Sequence, residues 1–526
     1  MSKKLLKPKP AATRAKQSVI ANPELIFGLV GPIGVNVDAV VAALSKSLKD
    51  VDYIPRIIHL TDHMRDRRIR KKIDVSTYYD RYQSLIAYAN AYRRKAKNAA
   101  ALASLSILRV RAQREAITGS QIEPALGNAY IIRQFKRPEE IEMMRRVYGR
   151  KFIQISIFGS ANDRRGVLIN KIRHHDSSPK TDADCERQAI ELIDIDHNQV
   201  DDVHGQRLSD VFHLGDVFVD GIHEARAAET IDRFIRAFFG DTKSSPNKDE
   251  YGLYTAAAAA LRSVDLSRQV GAAIFSKRGE IISLGCNEVP KAGGGTYWID
   301  DDPPIHRDVE LGVDTNYERK KELLHDLVER MSDEGLFSRK VMQQGASNKR
   351  VDYLLANRKV KDSQLMDIIE FGRMIHAEMS AISDAARLGR PTKDASLFCT
   401  TFPCHLCAKH IVAAGIDRVV FLEPYPKSYA QKLHADSITF ENDIANKVAF
   451  MPFIGISPRR YRDIFEKKKR KKGDGKAMGW YEGSPAPLIE DRSPAYIENE
   501  EPFVFIGLRG FQERARRGPR GRESIK

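Results

Sequence analysis

His376-Ala377-Glu378, followed after 24 intervening residues by Pro403-Cys404-His405-Leu406-Cys407, decides how the chain is read. A His-x-Glu alone carries little weight, because a chain with 14 histidines produces about one by chance. The Cys-x-x-Cys is rarer: five cysteines in 526 positions give roughly 0.05 such pairs at random, and here a proline opens the helical pattern that holds them. A spacing of three on one helix turns both thiols to the same side, where they can share an ion. The positive end of the helix dipole favours their thiolates. One imidazole and two thiolates, His376, Cys404 and Cys407, give zinc three ligands and leave the fourth tetrahedral position to water, which is the pattern of a catalytic site. Glu378 is then free to carry protons rather than bind metal. A redox dithiol needs neither His376 nor Glu378. A closed zinc site lacks its fourth ligand, since Cys399 falls on the preceding strand and His405 points off the Cys404 face. Cys185, Cys286 and Cys399 read as buried thiols.

Around this constellation the pattern is α/β. A helix over Leu253 to Val264 precedes QVGAAIFSKRGEIISLGCN, two short apolar strands joined by a Lys-Arg-Gly-Glu turn. A charged stretch from about 300 to 362 is too long for a simple loop and reads as an insertion. A helix from His376 to Leu388, the strand ASLFCTT, a helix from Cys404 to Ala414 and the strands DRVVFLE and VAFMPF complete an α/β/α sandwich over residues 251–465. Further upstream, ELIFGLVGPIG is a buried strand entering a glycine-rich turn, with a helical pattern behind it from Val37 to Leu48, the opening of a phosphate-binding domain. NAYIIRQF, RPEEIEMMRRVYG and KFIQISIF then make a strand, helix, strand unit of the kind that builds parallel sheets. The expected organisation is a basic tail (1–20), a P-loop kinase-like parallel-sheet domain (21–240), a linker (241–250, DTKSSPNKDE), the sandwich, and a basic, poorly ordered extension (466–526).

Apolar (42%) and charged (30%) residues lie in the ordinary globular range, which removes collagen-like, mucin-like and wholly disordered classes. Five cysteines in so long a chain cannot form a secreted disulfide framework. No apolar run reaches the 18 or so residues needed to cross a bilayer, and the first residues carry charge without an apolar segment behind it, so the expectation is a cytoplasmic protein without membrane association. The net charge of +16 is uneven. Residues 1–20 hold six Lys/Arg and no acid, residues 459–526 hold 18 against 11, and residues 62–115 hold 14 against five, so the rest is mildly acidic. Tyr78, Tyr79, Tyr82, Tyr88 and Tyr92 alternate with the cations of 62–115. Two readings stay open there: a stacking surface for RNA or polyphosphate, or a helical hairpin with its tyrosines inward.

The second domain resembles the cytidine and deoxycytidylate deaminase family, whose motifs stand in order here as SRQVGAAI, SLGCNEVP, HAEMSAI and TTFPCHLCAKHIVAAGI. The chain from about residue 21 to 465, with GLVGPIGVNVD, QFKRPEEI and PFIGISPRRYRDIF, is similar to the bacterial anti-phage dCTP deaminases. Those join a nucleotide-kinase-like domain to a deaminase and convert dCTP and dCMP to deoxyuridine forms, starving a phage of a DNA precursor. The resemblance implies a zinc cofactor, deoxycytidine nucleotides as ligands, a homo-oligomer and, as in some relatives, a small inhibitory RNA. It also implies that Asn287 contacts sugar and base and that Arg268 lies near the nucleotide phosphate. Water activated at the metal's open position would attack C4 of cytosine while Glu378 passes a proton to N3 and then to the departing amine.

The first domain departs from a working phosphate loop. On G-x-x-x-x-G-K-[ST], Asn36 replaces the second glycine, Val37 the lysine and Asp38 the hydroxyl, so phosphoryl transfer is not expected. Backbone amides around Gly31, Gly34 and Asn36 remain to cradle a nucleotide, and a nucleotide-sensing role and a scaffolding role both stay open. Two rival functions remain: a deaminase of bases in RNA or single-stranded DNA, disfavoured by the acidic bulk of the fold, and an RNA-binding regulator with a structural zinc.

Overall fold

The structure, a computed structural model, describes residues 21–64, 69, 71–175, 180–197, 199, 202, 204–425, 428–441, 444–467, 470–480, 485–489 and 494–512. The basic tail expected over 1–20 lies outside them. The chain divides into two compact units, one running to Ser245 and resuming at Asp463, the other Pro246–Arg462.

In the first unit β1 (Leu25–Val30), β2 (Ile54–His59), β3 (Asn128–Arg133), β4 (Phe152–Phe158) and β5 (Val217–Asp220) pair in the order β2-β3-β1-β4-β5, all parallel. All six residues of β1 are buried because a strand occupies each flank. Parallel strands need crossover connections, and the helices Val37–Lys49, between β1 and β2, and Pro138–Tyr148, between β3 and β4, lie on two of them. Residues 78–118 form two helices, Tyr78–Ala96 and Ala101–Thr118, separated where Lys97 takes a left-handed conformation. Tyr78, Tyr88 and Tyr92 are buried, and Tyr79 and Tyr82 are half-buried against the helix Asp182–His197. Arg93 is buried against Glu140 at 2.7 Å. Tyr78, Tyr88 and Tyr92 thus belong to the core, with Tyr79 and Tyr82 packed at its edge, the arrangement of a helical pair with its tyrosines turned inward.

The extension expected to be poorly ordered is corrected over 495–512, which forms a helix. Its Tyr496, Ile497 and Val504 join the core of the first unit. Glu500 pairs with Arg114 at 2.7 Å, and Arg114 also reaches Glu24 at 3.0 Å, all three wholly buried. Tyr130 and Tyr148 donate to Glu24 and Glu500, each at 2.9 Å. The lysines and glycines of 466–480 dominate the composition of that region and conceal a short apolar helix behind them.

The second unit is a mixed sheet in the order β7-β6-β8-β9-β11-β10, comprising β6 (Gly271–Phe275), β7 (Ile281–Cys286), β8 (Ser396–Thr401), β9 (Arg418–Glu423), β10 (Ile438–Thr439) and β11 (Val448–Pro452). β6 runs antiparallel to β7 and β8, and the other pairs are parallel. Its first helix, Lys248–Ala260, starts inside the expected linker, where Asn247 and Glu250 form a reciprocal cap. Between β7 and the helix Ala377–Arg387 the chain makes an excursion closed by a bridge between Glu288 and Ile375. Within it the helices Thr315–Asp333 and Ser347–Leu355 pack around Leu324, Val328 and Val351. Among the described residues no helix is long and apolar enough to cross a membrane.

Candidate metal and substrate site

The site is built where the helix Ala377–Arg387 meets the sheet. A methyl group on Gly285 of β7 would collide with the carbonyl oxygen of Ala377, so glycine there lets the helix lie directly on the strand. Ser283 donates to the carbonyl of Ala381 at 2.7 Å from the same strand. His376 precedes the helix as its N-cap and Glu378 sits in the first turn, so the expected helix start at His376 is early by one residue.

Across from it, β8 leads into Cys404, which caps the helix His405–Ala413. The Cys404 sulfur turns back over that turn and accepts from the Cys407 amide at 3.4 Å. The thiols therefore meet because one is a cap, not because both lie on one helical face. His376 Nδ1 stands 3.3 Å from the Sγ of Cys404 and 3.3 Å from that of Cys407. All three ligand atoms lie within 4.8 Å of one another. Two ligands on one tetrahedral zinc, at bond lengths of about 2.3 Å for sulfur and 2.0–2.1 Å for nitrogen, stand about 3.5 Å apart, so the donor set fits that ion.

The two other candidate donors, Cys399 and His405, are engaged elsewhere. Cys399 is buried and points its sulfur at the Val420 carbonyl, and desolvation holds its pKa well above the ordinary thiol value. His405 Nε2 faces Glu370 at 3.3 Å. Without metal, a hydrogen bond from Cys407, with His376 adding to it, lowers the Cys404 thiol to about 4, and Cys407 retains the proton with its own pKa raised. Burial lowers the pKa of His376, but the bond and charge of Cys404 outweigh it and leave the imidazole raised.

Glu378 is buried, with Oε2 3.5 Å from the Cys407 sulfur. Desolvation raises its carboxyl above the usual range, which the charge of His376 only partly opposes. It lines a cavity of about 350 Å3 together with His376, Cys404, Asn287, Arg268 and Tyr425. The structure thus places Arg268 and Asn287 on the same cavity as His376, Cys404 and Glu378. Asn287 also ties the wall together: its Oδ1 accepts from Val270 N at 2.7 Å and its Nδ2 donates to the Arg268 carbonyl at 2.8 Å. Arg268 pairs with Glu423 at 3.0 Å.

Lys320, Met366, Ile369 and Met374 form another wall of this cavity and come from the excursion. No spacing in the sequence pointed to them, because they converge only through tertiary packing. Gly31, Gly34 and Asn36 belong to the first unit. There the turn after β1 is filled by the protein itself. The Ile33 amide donates to Asp196 Oδ2 at 2.7 Å, and the Asn36 amide donates to the Gly221 carbonyl at 2.8 Å. Lys136 bridges the Gly31 carbonyl at 2.7 Å and Asp196 at 2.6 Å. Two amides expected to be open to a phosphate are already bonded.

Residues 246–423 match the family model for the cytidine and deoxycytidylate deaminase zinc-binding region. That family is supported for this part of the chain. Over 62 residues, 12% of this chain, the sequence is 45% identical to ComE operon protein 2 of Bacillus subtilis (strain 168), across 33% of that protein. Over 54 residues, 10% of this chain, it is 44% identical to the deoxycytidylate deaminase of Enterobacteria phage T2, across 29% of it. The deoxycytidylate deaminase of Mus musculus is 24% identical over 217 residues, 41% of this chain and 84% of the mouse protein. The chain thus spans about a third of the length of the first two relatives.

Proposed function

We propose that the second unit is a zinc-dependent hydrolytic deaminase of free deoxycytidine nucleotides, converting dCMP, dCTP or both to the deoxyuridine form with release of ammonia. One observation carries it: three zinc-type ligand atoms, those of His376, Cys404 and Cys407, lie within 4.8 Å of one another beside the buried Glu378. Zinc, when bound, supplies the Lewis acidity that makes water nucleophilic near neutral pH. The chain supplies the rest. His376, Cys404 and Cys407 would hold the ion, and the carboxyl of Glu378, raised by burial, takes a proton from the attacking water and delivers it to N3 of the ring, then takes the hydroxyl proton of the C4 adduct and passes it to the departing amine as the C4–N bond breaks. Asn287 and Arg268 are assigned to the sugar and phosphate side, which their place on the cavity wall supports.

The wider reading places the reaction in the cytoplasm as an antiviral depletion of dCTP by a homo-oligomer, with a small RNA as inhibitor. It rests on the resemblance of the motifs given above. Zinc-loaded protein incubated with dCMP, dCTP, deoxycytidine and a cytosine-containing single-stranded oligonucleotide tests the proposal. Ammonia from the free nucleotides supports it. Ammonia from the oligonucleotide alone, or from none of them, overturns it.

A further inference from the structure

We infer that Lys320, carried by the excursion between β7 and the helix Ala377–Arg387, recognises the phosphate end of the ligand and makes the site select nucleotides over nucleosides. The inference rests on the reading of the cavity as a cytosine-nucleotide site and adds the residue that sets its ligand class.

The helix Thr315–Asp333 is fastened to the segment that walls the cavity. Asn316 donates through Nδ2 to the Ile368 carbonyl at 2.9 Å and accepts from the Phe371 amide at 3.2 Å. Four residues along, one turn further on the same side of the helix, Lys320 donates to the Met366 carbonyl at 2.9 Å. These bonds hold the half-buried Lys320 on the cavity wall instead of leaving it to sweep through solvent.

Among the described residues that line the cavity, apart from His376, the cationic side chains are Arg268 and Lys320. Arg268 already faces Glu423 and lies against the ring of Tyr425, 5.4 Å from its centroid. The hydrogen-bond acceptor of Lys320 is a neutral carbonyl, which leaves its positive charge unspent and two of its three N–H groups for another acceptor. A base seated beside Glu378 must project its sugar away from the metal ligands, and its phosphates then fall among the polar groups of the outer walls. An ammonium held there makes a charge-assisted contact available to a nucleotide and to no nucleoside.

The test compares zinc-loaded full-length wild type with Lys320→Ala, Lys320→Arg and Lys320→Glu, measuring kcat/KM for dCMP, dCTP and deoxycytidine. The preference for dCMP over deoxycytidine should fall by about 10- to 100-fold in Lys320→Ala, the effect of one charged hydrogen bond, through KM rather than kcat. It should fall further in Lys320→Glu and be partly restored in Lys320→Arg. An unchanged preference, whether activity is intact or lost equally on all substrates, overturns the inference and leaves the deaminase reading standing. Calorimetric binding of the same ligands to zinc-loaded Glu378→Gln, with and without Lys320→Ala, gives an answer independent of turnover. If no ligand is deaminated by the wild type, a Lys320-dependent preference for nucleotides in that titration upholds the inference while the reaction fails, and its absence overturns the inference too.

Discussion

Gly285 and Ala377 are in such close contact that a single added methyl group on the strand would strike the carbonyl oxygen of the first residue in the helix. His376 and Glu378 flank that carbonyl in sequence, so the separation of strand and helix sets where the imidazole and the carboxylate stand. Gly285→Ala should push the helix outward and lower both bound zinc and deaminase activity by at least about tenfold, the scale at which displaced metal-site geometry is felt. Zinc content by atomic absorption on the folded variant, with circular dichroism to show that it is folded, measures this.

Glu378→Gln separates metal binding from proton transfer. The three ligand atoms are untouched, so zinc content should match the wild type, while turnover falls by about 10²- to 10⁴-fold. Parallel zinc analysis and ammonia release check both halves.

Cys407→Ser should do the reverse. Replacing a buried thiolate donor removes one of three ligands, and the variant should lose zinc and activity together. Chelator-treated wild type should regain activity with zinc and not with magnesium, which takes oxygen ligands.

The C-terminal helix should stabilise the first unit through Arg114. Arg114→Met leaves Glu24 and Glu500 buried without their cation, and stability should fall by about 3–5 kcal/mol, read as a lower urea midpoint. Glu500→Gln keeps the shape and an acceptor and should cost less.

The turn after β1 is held by an internal carboxylate. Asp196→Ala removes the acceptor of the Ile33 amide and the ion-pair partner of Lys136, and should likewise destabilise by about 3–5 kcal/mol, whereas Asp196→Asn should be milder. Urea unfolding followed by circular dichroism reads both.

What was legible in the sequence follows from how local each signal is. Strand β1 with its glycine turn, and the hairpin β6–β7, declare themselves through continuous apolar runs and turn residues. His376, Cys404 and Cys407 could be singled out in the sequence because Cys-x-x-Cys is rare, and the structure brings their ligand atoms within 4.8 Å of one another. The manner of their meeting was not readable, since a cysteine acting as an N-cap looks in sequence like a cysteine in the first turn. Asp196 and Lys136 reach the glycine turn from 163 and 105 residues away, and no periodicity records such a contact. Lys320 was hidden in the same way within a charged helix. The helix 495–512 was masked by averaging over its basic neighbours, although Tyr496, Ile497 and Val504 supply its apolar face.

Zinc K-edge absorption on the metal-loaded chain examines the site itself. Two sulfur scatterers at about 2.3 Å and two lighter ones at about 2.0–2.1 Å, one of them lost in His376→Ala and the other exchangeable with solvent, is the result expected of an ion held by His376, Cys404 and Cys407 with a position left for water. A third sulfur, a second imidazole or no bound zinc would contradict it.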